Sequence, residues 1–116
     1  MKYMLLMYTN ESFVPKTPEE QQAVAPEVWY GLMGEMKAAG VLLSNNGLAP
    51  IATATTVRVR EGKTLITDGP FAETHEQLGG FFLLECKDLD EALRWAEKSP
   101  HAKYGSVEVR PLWSEV

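Results

Sequence analysis

Two six-residue runs, YMLLMY over 3–8 and FFLLEC over 81–86, place apolar side chains at consecutive positions where a half-wet strand would alternate. Runs this short read as β-strands, in which successive side chains point to opposite faces. An antiparallel strand with one solvated face alternates apolar and polar residues, so the sheet these two strands form needs cover on both faces. Helices of the same chain supply one cover. The second must come from the chain's own loops or, as the favoured expectation, from another copy of the chain, because each large apolar side chain left in water forgoes about 1.5–3 kcal/mol. The expectation is a sheet-to-sheet homodimer.

The segments around these strands carry helix signals. In Thr17-Pro18-Glu19-Glu20, Thr17 suits an N-cap, Pro18 the first helical position, and Glu20 the return bond of a capping box. Pro26 interrupts that helix and starts another, with Trp29, Leu32, Met33 and Met36 as its apolar stripe and Gly40 as a left-handed stop. Asp88 and Glu91 repeat the capping logic for a third segment, whose stripe is Leu89, Ala92, Leu93 and Ala96 and whose stop is Ser99-Pro100.

Between the helical segments lie a brief strand at 41–43 and a hairpin, 55–60 with 63–67, turning at Glu61-Gly62. That register puts Val57, Val59, Thr64 and Ile66 on one face, while Arg58 and Arg60 are free to pair with Glu85 or Glu108 across a sheet. Val107, Val109, Pro111 and Trp113 alternate as a last strand. The order β-α-β-hairpin-β-α-β is that of an α+β, ferredoxin-like antiparallel sheet with two helices on one face, in a single domain over 1–116.

Several function classes are disfavoured. Sixteen acidic against eleven basic residues, a net charge of −5, argue against nucleic-acid binding, which needs clustered Lys and Arg. No run approaches the ~20 apolar residues of a membrane span. A single cysteine, Cys86, leaves no internal disulfide and fits a reducing, cytoplasmic setting. Two scattered histidines do not make a metal-ligand spacing, and no phosphate-cradling glycine motif precedes a helix, so neither metal nor cofactor is expected.

Acid-base side chains concentrate in DGPFAETHEQLGG, residues 68–80. Asp68-Gly69-Pro70 is turn chemistry, Phe71 reads as a core plug beneath the loop, and Gly79-Gly80 implies a bulge or a close approach by another chain or a ligand. Asp68 and His75 are the candidate catalytic pair: a carboxylate fixes the imidazole tautomer, and His titrates near working pH. Arg58, Glu73, Glu76 and Tyr8 are candidate ligand contacts. His101, Lys103 and Tyr104 read as a polar loop near the rim of a cleft, and Cys86 as a small core residue.

The stretch from Thr53 through the Asp68–Thr74 signature to Cys86, followed by DLDEALRWAEKSPHAKYGSVEVRPLW, resembles the DGPF-domain proteins of the YCII-related family. The resemblance implies the dimeric α/β-barrel superfamily, and for some members a place beside extracytoplasmic-function sigma factors. In the wider group a His and an Asp in a cleft suggest enzymatic activity. This chain departs from the family in two places: His75 stands where Lys is usual, and Tyr8 lies near the region where the wider group has a strand histidine. Only Asp68 has a counterpart in that pair.

Two functions compete at this level. One is an enzyme of the isomerase or lyase type moving a proton on a small metabolite through Asp68 and His75. The other is a non-catalytic ligand-binding or regulatory module tied to sigma-factor-dependent transcription.

Overall fold

The computed structural model describes residues 1–115. The two apolar runs become neighbouring central strands, β1 (Lys2–Thr9) and β5 (Gln77–Glu85), paired antiparallel from Lys2 opposite Glu85 to Thr9 opposite Gln77. β2 (Leu42–Gly47) flanks β5 and β6 (Ser106–Pro111) flanks β1, giving the order β2-β5-β1-β6. Two antiparallel β-α-β halves interleave in that order, which is the ferredoxin-like arrangement the sequence predicts.

The helix signals act as read. Thr17 Oγ1 accepts from Glu20 N at 3.1 Å and Glu20 returns the bond, starting α1 (Pro18–Ala23). Pro26 opens α2 (Pro26–Ala38), and Gly40 follows it with φ 73°, where a side chain would be strained. Asp88 caps α3 (Leu89–Glu97), but Glu91 reaches Lys87 N at 2.8 Å, one residue before the position a capping box needs.

One face of the sheet, with Tyr3, Leu5, Met7, Phe82 and Leu84, packs on Leu32 and Met36 of α2 and on Ala92 and Ala96 of α3. Leu89 and Leu93, expected in this core, are 47% and 42% exposed. The α3 stripe turns toward Trp95 instead, so small alanines bring the helix close while the leucines sit at its edge.

The opposite face carries Met4, Leu6, Phe81 and Leu83, half-buried by their neighbours, with none of the core helices against it. The hairpin, β3 (Thr55–Arg60) with β4 (Lys63–Asp68), forms a separate two-stranded sheet. Its register is the expected one, Val57 opposite Ile66 and Val59 opposite Thr64, and Glu61 (φ 51°) and Gly62 (φ 74°) turn it as a type I′ loop does. Val57, Val59, Leu65 and Ile66 are all exposed, so this arm is apolar and unburied. The radius of gyration, 16.3 Å, exceeds the about 13 Å of a compact chain of this length, and the molecule is only 18 Å thick.

Candidate functional site

Most of the acid-base cluster in the 68–76 loop lies in water. Asp68, Glu73 and His75 are exposed, and among the described residues no hydrogen bond or ion pair joins Asp68 to His75. The loop is held by its backbone: Gly69 N donates to Ala54 O at 2.6 Å, and Thr56 Oγ1 donates to Gly69 O at 2.8 Å. Arg58 Nη2 donates to Phe71 O at 2.9 Å, so Arg58 supports the loop. Among the described residues neither Arg58 nor Arg60 pairs across the sheet, Arg60 Nη1 donating to Val59 O instead. Glu85 takes the N-terminal ammonium at 2.5 Å, which holds its carboxyl below the usual range, and Glu108 takes Arg110 at 2.6 Å. Phe71 is 73% exposed and plugs nothing, because the loop lies outside the helix-covered face where the core forms.

Glu76 and Tyr8 lie closer to the body. Glu76 accepts from Ser106 Oγ at 2.9 Å, tying the loop to the start of β6. Tyr8 is half-buried on β1 opposite Ser106.

The desolvated acid-base group is elsewhere. The expected polar loop at 101–104 is the short helix α4 (Pro100–Tyr104), with Ser99 as its buried cap and Pro100 buried in its first turn. Its other end is pinned at Gly105, where a Cβ would collide with the Tyr8 carbonyl oxygen; only glycine permits that approach. Locked at both ends, α4 sets His101 against Trp29 of α2, ring centroids 5.1 Å apart and planes at 58°. Trp29 in turn leans on Phe82, 6.3 Å away.

His101 Nδ1 is shut off from solvent and has no hydrogen-bond partner among the described residues. Buried polar atoms are paired in the great majority of cases, so an orphaned imidazole nitrogen calls for a reason. Burial lowers the His101 pKa, and the negative charge of Glu76 opposes that shift without overcoming it. The ring is therefore neutral at neutral pH, one nitrogen a donor and the other an acceptor.

β5 is shaped to leave room beside this ring. It begins at Gln77, so Gly79 and Gly80 lie within the strand, at the irregularity where Met7 faces Gly80 and Tyr8 faces Leu78. A Cβ on Gly80 would come to 2.8 Å from Asn46 O, and one on Gly79 would lie 3.8 Å from His101 Nε2. Between this floor and α2 is a cleft of about 320 Å³, walled by Trp29, Met33, Asn45, Phe82 and His101. Asn45 Nδ2 donates to Met33 Sδ at 3.1 Å, which orients the amide.

Trp29 and His101 also wall a second cavity of about 230 Å³, bounded by Glu11, Phe13 and Tyr104. Phe13 stacks on Tyr104 at 5.4 Å over it. The arrangement is a neutral imidazole standing between two small, mainly apolar spaces, able to take or give one proton.

Cys86 is buried and its thiol is pushed up to about 11 by burial, unsuited to nucleophilic attack at neutral pH. Among the described residues no group of three or more His, Cys, Asp and Glu is placed to hold a metal ion, and no helix is long and apolar enough to cross a membrane.

Comparison with known proteins adds three findings. The YCII-related domain matches residues 1–115. An uncharacterized protein of Rhizobium meliloti (strain 1021) is 40% identical over 114 residues, covering 97% of this chain and 92% of that protein. The structure of 5-chloro-2-hydroxyhydroquinone dehydrochlorinase from Burkholderia phenoliruptrix AC1100, in complex with 2,5-dihydroxybenzoquinone, overlaps 95% of this chain and 91% of its own. That overlap has 11% identity and a TM-score of 0.48, too loose to bear on activity.

Proposed function

Since the chain belongs to the YCII-related family, matched along 1–115, we propose that it is a small-metabolite enzyme of the proton-transfer type, an isomerase or lyase, working in the Trp29–His101 cleft. His101 is the acid-base group and Trp29 the platform on which the reacting molecule lies. The observation that carries this is the buried, unpartnered Nδ1 of His101 beside an open cleft. A neutral imidazole whose pKa lies below its ordinary value is a base that remains available near neutral pH. Glu76, tied to Ser106, supplies a nearby charge that stabilises the imidazolium formed when His101 takes a proton. Asp68 and His75 do not line the cleft and act, in this reading, as loop architecture.

A thermal-shift screen of small metabolites on the wild type, His101→Gln and Asp68→Asn separates the two sites. A ligand at 100 times its dissociation constant adds about 2.7 kcal/mol to stability. Hits lost in His101→Gln and kept in Asp68→Asn are expected. The reverse pattern would move the site to the loop.

The assembly proposed is a homodimer joined through the open sheet face. Met4, Leu6, Phe81 and Leu83 lack a helical cover, and the arm exposes four further aliphatic side chains. Burying such residues favours association by about 1.5–3 kcal/mol each before the costs of ordering and orientation. Light scattering should show a dimer at micromolar concentration, and Leu6→Glu should yield a folded monomer. A wild-type monomer would overturn the assembly.

A further inference from the structure

We infer that the cleft between Trp29 and His101 selects an electrically neutral ligand over an anionic one, accepting a small, flat, largely apolar molecule with one hydroxyl or carbonyl group. This rests on the reading of that cleft as the ligand site.

No Lys or Arg lines either cavity that meets at His101. The carboxylates near the site are Glu11 on the smaller cavity, taken by Ile51 N at 3.1 Å, and Glu76 near His101, while the Lys103 ammonium lies 5.5 Å from the centre of the Tyr104 ring without lining the cavity. A carboxylate or phosphate entering here would shed its water and meet no counter-charge, and burying an unpaired charge is strongly unfavourable. A neutral hydroxyl or carbonyl loses far less, and two side chains can meet it. His101 has Nε2 beside the cleft floor, 3.8 Å from where a Cβ on Gly79 would lie, and Asn45 spends one amide hydrogen on Met33 Sδ and keeps the rest of its hydrogen-bonding capacity.

The apolar walls set the shape. The indole of Trp29 and the thioether of Met33 face a floor of two glycines without side chains, so the space suits a flat molecule. At about 320 Å³ the cleft is at the small end of ligand sites and accommodates one ring with short substituents.

A matched pair of probes tests the charge selection on the full chain at pH 7.5. Benzyl alcohol and benzoate are similar in size and differ in charge. Each is titrated while the Trp29 indole N–H is followed by ¹H–¹⁵N NMR, the signal being assigned by its loss in Trp29→Phe. Gly79→Val, which fills the cleft from the strand, is the blocked control. The expected result is a dissociation constant for benzyl alcohol at least ten-fold below that for benzoate, with the Trp29 shift abolished in Gly79→Val. Benzoate binding equally or more tightly, with its shift still abolished by Gly79→Val, would overturn the charge selection and leave the site standing. If neither probe moves the Trp29 signal, or both move it unchanged in Gly79→Val, the cleft is no ligand site and both readings fall together.

Discussion

The chain's two histidines occupy opposite physical environments. His75 sits among acids and amides in a loop, the setting that local sequence makes conspicuous, and it is exposed, with no hydrogen-bond partner among the described residues. His101 sits on a five-residue helix and is driven against an indole, with a nitrogen sealed from water. Acid-base residues crowd together most often where water solvates them all. Chemistry needs the reverse, a titratable group partly deprived of water and held in place, and tertiary structure supplies that at His101. The difference between these side chains is one of desolvation.

The largest expected effect comes from dislodging His101 without touching it. Gly105→Val drives a side chain into the Tyr8 carbonyl and should cost on the order of 3 kcal/mol or more in urea unfolding. Gly34→Ala, where nothing lies within 4 Å, should be neutral or stabilising by about 0.5–1 kcal/mol, as expected inside a helix. Equal costs at the two glycines would mean that α4 is not pinned as described.

Next comes the dependence of stability on pH. His101 has a folded-state pKa below its ordinary 6.5, so below that value the unfolded chain binds the proton that the folded chain resists. Stability contributed by neutral His101 is therefore complete above pH 6.5 and is lost as pH falls through the window beneath it. His101→Gln should flatten the stability profile in that window. A slope that persists unchanged in His101→Gln would contradict the desolvation of that ring.

The smallest effects belong to the loop. Asp68→Asn and His75→Lys alter exposed side chains without partners and should change stability by no more than about 0.5 kcal/mol. Metabolite binding should be equally indifferent to both.

Much of the fold was legible because its causes are local. Consecutive apolar residues in β1 and β5 announced a central pair with two faces to cover, Thr17 and Asp88 announced helix starts, and Glu61-Gly62 announced the hairpin with its register. Gly79-Gly80 announced a backbone constraint, but the approach at Gly80 is to Asn46 O of the same chain, and β5 begins before the pair and carries it inside the sheet. Glu76, expected as a ligand contact, is tied to Ser106 at 2.9 Å, with its charge acting on His101. The cleft itself was not legible. Its walls come from α2, β2, β5 and α4, and no local pattern tells His101 that Trp29 is its neighbour. Five residues of helix are too few to show a periodicity, so α4 looked like polar loop. Phe71 misled for the related reason that a large apolar residue signals burial only when a core is within reach.

The most direct test of the account is a crystal structure of the full chain with a hit from the metabolite screen bound. Density is expected on the Trp29 indole, with a ligand oxygen within hydrogen-bond distance of His101. Density seated instead against Asp68 and His75, with the Trp29–His101 cleft empty, would contradict it and return the site to the loop.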